Sequence, residues 1–183
     1  MRWLAASASL LIATAAAGQG ASAEVPVSQA MLVMLKVLTY DEGFERRGQG
    51  DFVVSVPASK GREAEAAALV ASLQGLEVKR IKKRALVYRV TGAGGDDAGG
   101  GDTADAVLLS SALSPEDVKA ALEAAKRQGR YSLALTAADV SAGALVGVVA
   151  TNGKPQPMVN VTTARAVGAT FSVAVLRVAR TVQ

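Results

Sequence analysis

The spacing of apolar residues changes repeatedly along the chain, and each change marks an element. Within residues 27–38, Met31, Leu32, Leu35 and Leu38 recur at helical intervals, which predicts an amphipathic helix with Ser28 as its N-cap. Tyr40-Asp41-Glu42-Gly43 ends it. Residues 52–56 form a short apolar, β-branched run closed by Pro57, the pattern of a buried strand. Ser59 is placed to cap a second helix reaching Leu73, where Ala64, Ala67, Ala68 and Ala71 permit close packing and Gly75 stops the run.

The middle of the chain is less regular. Between Glu77 and Val90 no single apolar face emerges, and residues 85–90 make the better strand. The run Lys79-Arg80-Ile81-Lys82-Lys83-Arg84 reads as a solvated strand edge that resists edge-to-edge pairing. Its other reading is a site for an anionic ligand or lipid headgroups. Residues 91–103 form a glycine-rich loop with Asp96, Asp97 and Asp102. It lacks the Gly-Lys-Ser/Thr of a phosphate-binding loop and the dinucleotide spacing. It has only one copy of a glycine–aspartate pattern that binds calcium when stacked.

Patterning then becomes clear again. Residues 106–109 read as a second buried strand. Ser114-Pro115-Glu116-Asp117 opens a helix, with a capping serine, proline at the first helical position and two acids at the positive end of the dipole. Val118, Ala121, Leu122 and Ala125 form its buried stripe, and Gly129 ends it. Residues 131–135 are the next strand. Strand and helix alternating in this way predict a mainly parallel sheet covered on both faces. Asn152-Gly153 between the apolar runs 145–150 and 156–161 predicts an antiparallel hairpin at the sheet's edge. A short helix to Val167, a break at Gly168 and a last helix over residues 172–182 complete the chain. The fold class is therefore α/β, a single-domain three-layer sandwich.

Composition narrows the function. Residues 1–23 combine Arg2, an apolar and small-residue stretch and Ala21-Ser22-Ala23 before Glu24, as in a cleavable signal peptide, which leaves residues 24–183 as the exported domain. No cysteine follows to carry a lipid. The net charge of +4 is too mild and too dispersed to argue for nucleic acid. Cysteine and histidine are absent, which excludes thiol nucleophiles, disulfides, thiolate metal sites and imidazole acid–base chemistry. No S-x-x-K sequence supports serine–lysine chemistry. The expectation is a protein that is not an enzyme and carries no metal or cofactor.

A resemblance enters with the C-terminal residues. Val159-Asn160-Val161, Ala164-Arg165, Gly168, Phe171-Ser172 and Leu176-Arg177-Val178-Ala179-Arg180 resemble the C-terminal motif of YfiR-like periplasmic proteins. Val25-Pro26-Val27-Ser28-Gln29-Ala30, Lys36 and Leu38-Thr39-Tyr40-Asp41 are similar to the family's front end. The resemblance implies a periplasmic α/β regulator. It would hold an inner-membrane diguanylate cyclase inactive through the cyclase's periplasmic segment, limiting cyclic di-GMP and biofilm growth. A sensor kinase is the related partner, and a homodimer is compatible with the pattern. Missing cysteines set redox sensing aside, and Leu38-Thr39-Tyr40 stands where many relatives carry tryptophan.

Asn160, Ala164, Arg165, Gly168, Phe171, Ser172, Leu176 and Arg177 are expected to serve structure first, with Asn160 satisfying backbone groups at a strand–helix junction. For the partner surface, the first helix holds more apolar residues than one stripe needs, which makes Met34 and Val37 candidates. The competing expectation buries that helix on all sides. The functional alternative to a regulator is a periplasmic solute-binding component of a transport system, which usually has two lobes around a cleft.

Overall fold

A computed structural model describes residues 25–93 and 104–183. The expected leader and the acidic positions Asp96, Asp97 and Asp102 lie outside the described residues.

The first helix, α1 (Val27–Leu38), has the predicted bounds, but Pro26 rather than Ser28 is its N-cap, and no side chain caps it. A short 3-10 turn, Phe44–Arg46, leads into strand β1 (Phe52–Ala58), which is buried along its whole length. Helix α2 (Glu63–Gln74) begins later than Ser59 suggests. Gly61, at φ +85°, turns the chain into it. Its buried positions are Ala66, Val70 and Leu73, so Ala64, Ala67, Ala68 and Ala71 face solvent instead. Packing is carried by the larger side chains that share the other face.

Strands β2 (Arg80–Ile81) and β3 (Arg84–Gly92) form a tight hairpin, with Lys82 at φ +49° in the turn. Strand β4 (Ala106–Leu109), helix α3 (Pro115–Arg127) and strand β5 (Tyr131–Ala134) follow as the pattern predicts. Ser114 Oγ accepts from the Asp117 N–H at 3.1 Å. Helix α4 (Ala137–Ser141), unread in the sequence, is capped by Thr136. Strands β6 (Val146–Thr151) and β7 (Lys154–Asn160) make the antiparallel hairpin, and Asn152 and Gly153 both take positive φ, 52° and 72°. This is the backbone that Asn-Gly hairpin turns require.

After helix α5 (Val161–Ala166), the last helix is shorter than expected. Helix α6 (Val173–Val178) stops, and Arg180–Val182 becomes strand β8, paired parallel to β7. The open edge of β7 offers unpaired backbone groups, and Val182 packs with the cluster containing Met158.

The eight strands run in the order β2-β3-β1-β4-β5-β6-β7-β8. Alternate residues feed two cores. Phe52, Val54, Val56, Ala106, Leu108, Tyr131 and Leu133 pack with α1 and α2 on one face. Val107, Leu109, Ala134 and Met158 pack with α3 and α4 on the other. The molecule is thus a three-layer α/β sandwich with a mostly parallel sheet.

In such sheets a ligand crevice opens where neighbouring strands send their chains to opposite sides. Here that place is beyond β1 and β4, and it is stitched shut. Ser59 N–H donates to the Ala112 carbonyl at 2.9 Å. The Ser59 hydroxyl accepts from the Ser114 N–H at 2.7 Å and donates to Asp117 Oδ2. Ser59 therefore joins two loops instead of capping α2. The Asp117 pKa is held below the ordinary carboxylate value by its hydrogen bonds from Ser59 and Ser114.

Candidate functional site

Helix α1 lies across β6 and β7, so it needs a broad apolar face. Ala30, Met31, Met34, Leu35, Val37 and Leu38 are all buried there. This corrects Met34 as a partner-surface residue, since it is 0% exposed; Val37 is only 3% exposed, though it belongs to the lining of the groove between α1 and the last helix. Leu32, assigned to the core by its spacing, is 39% exposed.

The exposed flank of α1 meets α6. Between them runs a groove of about 490 Å³, walled by Leu32, Val33, Val37, Tyr40, Val175 and Val178, with Lys36 the one charged side chain in its lining. Leu32 and Tyr40 on the α1 side and Val173 and Val178 on α6 are exposed, the last two by 66% and 60%. Among the described residues the other exposed large apolar side chains are Val78 and Val90; Leu32, Tyr40 and Val178 line the groove, and Val173, Val78 and Val90 do not. Lys36 Nζ lies 5.4 Å from the Tyr40 ring centroid.

One buried carboxylate holds the groove's walls in register. Asp41, just past the end of α1, is 1% exposed. It accepts from the Gly43 N–H at 2.9 Å, the Thr170 N–H at 2.8 Å, the Tyr131 hydroxyl at 2.6 Å and Arg47 Nε at 3.0 Å. Burial would raise its pKa. The hydrogen bonds from Tyr131, Thr170 and Gly43, with the Arg47 charge, outweigh that and hold it below the ordinary carboxylate value. Burial and the bond to Asp41 push the Tyr131 phenol strongly upward, so it stays neutral.

Arg47 extends the network, donating to the Gly129 and Val167 carbonyls at 2.8 Å each. Its guanidinium carbon lies 4.6 Å from the Tyr131 ring centroid. Two backbone bonds complete the zipper. Glu42 N–H donates to the Thr170 carbonyl, and Ser172 N–H donates to the Tyr40 carbonyl. The chain leaving α1 is thereby fixed to the chain entering α6.

The C-terminal motif residues divide into two groups. Asn160 is 3% exposed and caps α5. Its Oδ1 accepts from the Thr163 N–H at 2.9 Å, and its Nδ2 donates to the Val140 carbonyl at 3.0 Å. Ala164 and Phe171 are buried, Leu176 is half-buried, and Gly168 takes φ +69°. Phe171 forms an isolated bridge with Asp41, and the Ser172 backbone bonds Tyr40. Arg165 and Arg177 are exposed. Asp41 is read in the sequence only as the end of the first helix and of the family-like front segment, and neither it nor Arg47 nor Tyr131 is read as a site residue, because most of their partners lie far along the chain. The one available signal was an acid at a helix C-terminus, where the dipole disfavours it.

The basic run at residues 79–84 lies at the opposite end of the sheet, where β2 is the outermost strand. Arg84 is the anchored member. It contacts the Asp105 carboxylate at 2.7 Å and donates to the carbonyls of Gly50 at 3.1 Å and Asp51 at 2.6 Å. Among the described residues no cluster of acidic side chains is arranged to hold a metal, and no helix is long and apolar enough to cross a membrane.

A family model described as YfiR/HmsC-like matches residues 47–180. Among solved structures, a conserved domain protein from Vibrio cholerae is similar with a TM-score of 0.57 at 16% sequence identity. The likeness covers 86% of this chain and 60% of that one, so the chain spans less than two thirds of that protein's length, and at this identity it speaks for the fold. No curated protein matches the sequence.

Proposed function

The chain belongs to the YfiR/HmsC-like family, and from that premise we propose that it is an exported signalling regulator rather than an enzyme. In this reading it acts in the periplasm, binding the periplasmic segment of an inner-membrane diguanylate cyclase and holding the cyclase inactive. Cyclic di-GMP and biofilm growth then rise when the regulator lets go.

The observation that supports this most is the groove between α1 and α6. A core has no use for Val178 standing 60% open, with Leu32 and Tyr40 also exposed in the same lining. Side chains like these stay open at a cost in solubility, and their concentration on one face marks a contact surface. Rigid walls suit the task, since the Asp41 network fixes α1 against the chain entering α6. A partner segment with an apolar stripe fills the groove, and an acidic group on it meets Lys36, the charged side chain of its lining.

The test is made in cells. Deleting the gene should raise cyclic di-GMP, and the wild-type copy should lower it again. A Val178→Glu copy, exported and folded, should fail to lower it. If deletion leaves cyclic di-GMP unchanged, the protein is not a repressor of a cyclase. If Val178→Glu represses as well as wild type, the contact lies elsewhere.

A further inference from the structure

We propose that the cleft beside the β2–β3 hairpin binds a phosphate-type oxyanion, either free or as the headgroup of an anionic lipid. The cleft has a volume of about 440 Å³ and lies between that hairpin and the loop at residues 48–51. It shares no lining residue with the groove between α1 and α6.

Its lining brings Arg80, Lys82, Lys83 and Arg84 against two acids, Glu45 and Asp51. Glu45 is a loose partner. Its side chain is 67% exposed, and its oxygen stands 3.9 Å from Lys82 Nζ. Asp105, behind the cleft, belongs to Arg84 and to the Val53 N–H, at 2.7 and 2.9 Å. Arg80 bonds the Lys83 carbonyl, which pins the turn, and the Lys83 side chain is exposed in the cleft's lining. Positive charge is thus concentrated at the mouth and only partly answered.

Arg84 supplies the second observation. Its side chain is 10% exposed and three of its contacts are satisfied, yet Nη1 is buried with no acceptor. A buried guanidinium donor left unpaired costs about 1–3 kcal/mol, more than protein loops usually leave standing. The residue covering it is Gly48. A methyl group there would lie 3.4 Å from both Nη1 and Nη2, so glycine keeps the cover thin. A small shift of the loop, which also contains Gly50 at φ +80°, lets an anion oxygen reach Nη1 while the lysines hold the remaining charge. A tetrahedral oxyanion fits because it offers oxygens in several directions to donors on both walls.

Backbone amide NMR spectra of the exported protein, titrated at low salt with inorganic phosphate and separately with phosphatidylglycerol vesicles, test this. Phosphatidylcholine vesicles serve as the control. Saturable shifts confined to residues 48–51 and 80–84 are expected in at least one series. Response to phosphate alone identifies a free-anion site, and response to phosphatidylglycerol alone identifies a headgroup site. Lys82→Gln with Lys83→Gln, both exposed positions, should keep the melting temperature and weaken binding about tenfold. The proposal is overturned if neither probe gives saturable shifts there, if shifts spread over all basic surfaces, or if the double variant binds like wild type.

Discussion

The Tyr131 hydroxyl donates to Asp41 Oδ2 at 2.6 Å across 90 residues of sequence, joining the centre of the sheet to the end of α1. Tyr131 also stacks on Phe44 and lies tilted against Phe52, at centroid separations of 6.2 Å each, so its ring is fixed before its hydroxyl is used. Removing the hydroxyl alone leaves Asp41 with three donors. Tyr131→Phe should therefore cost about 1.5–3 kcal/mol, as for a hydrogen bond to a charged group. Asp41→Asn should cost more, about 3–5 kcal/mol, because Arg47 loses its buried partner. Chemical denaturation of both variants measures the difference, and equal losses would contradict the hub role of the carboxylate.

Acid should undo the same network. Asp41 has a depressed pKa in the folded state, so its stabilisation is fully present above the unfolded value near 3.9 and is lost as pH falls through the lower folded value. The stability gap between wild type and Asp41→Asn should be constant from pH 7 to about pH 5 and shrink below pH 4. Melting curves at stepped pH check this. A gap that narrows above pH 5 would place the titration on another group.

Much of this architecture was legible because local chemistry and tertiary demand agree. Ser114-Pro115, Asn152-Gly153 and the β-branched run in β1 each specify their own conformation. The failures share one cause. Met34 and Leu32 are both apolar and differ only in which neighbour they meet, and nothing within α1 says that β6 and β7 take one side and α6 stands off the other. Arg180-Thr181-Val182 continues a helical pattern, yet the edge of β7 claims it. Ser59 looks like a cap until Ser114 and Asp117 arrive from far along the chain. The groove and the Asp41 network were illegible for the same reason, being made of pairs and not of runs.

Gly147 is a position where close approach matters more than backbone freedom. A Cβ there would collide with Val140 Cγ2 and stand 2.9 Å from the Ala134 carbonyl oxygen. Both neighbours are fixed, one in α4 and one in β5. Gly147→Ala should destabilise by about 1–3 kcal/mol, the range for overpacking. Thermal unfolding reads it directly, and a neutral variant would mean that α4 is free to move away.

Asn160 and Gly168 should act on stability before they act on binding. Asn160→Ala removes a cap and leaves the Val140 carbonyl without its side-chain donor, so a loss of about 1–3 kcal/mol is expected. Gly168→Val forces a β-branched residue to φ +69° and should lower the melting temperature as well. Unchanged melting with lost partner binding would reverse the assignment and make this turn part of the contact.

The central claim is that the α1–α6 groove is where the protein holds its partner. The most direct measurement is the affinity of purified residues 24–183 for the periplasmic segment of the cyclase proposed as partner, compared among wild type, Leu32→Glu and Val178→Glu. Both side chains line the groove and are exposed, so the variants should melt like wild type, and binding should weaken about tenfold or more, at least about 1.4 kcal/mol. Unchanged affinity in two folded variants would contradict the groove as the site of contact.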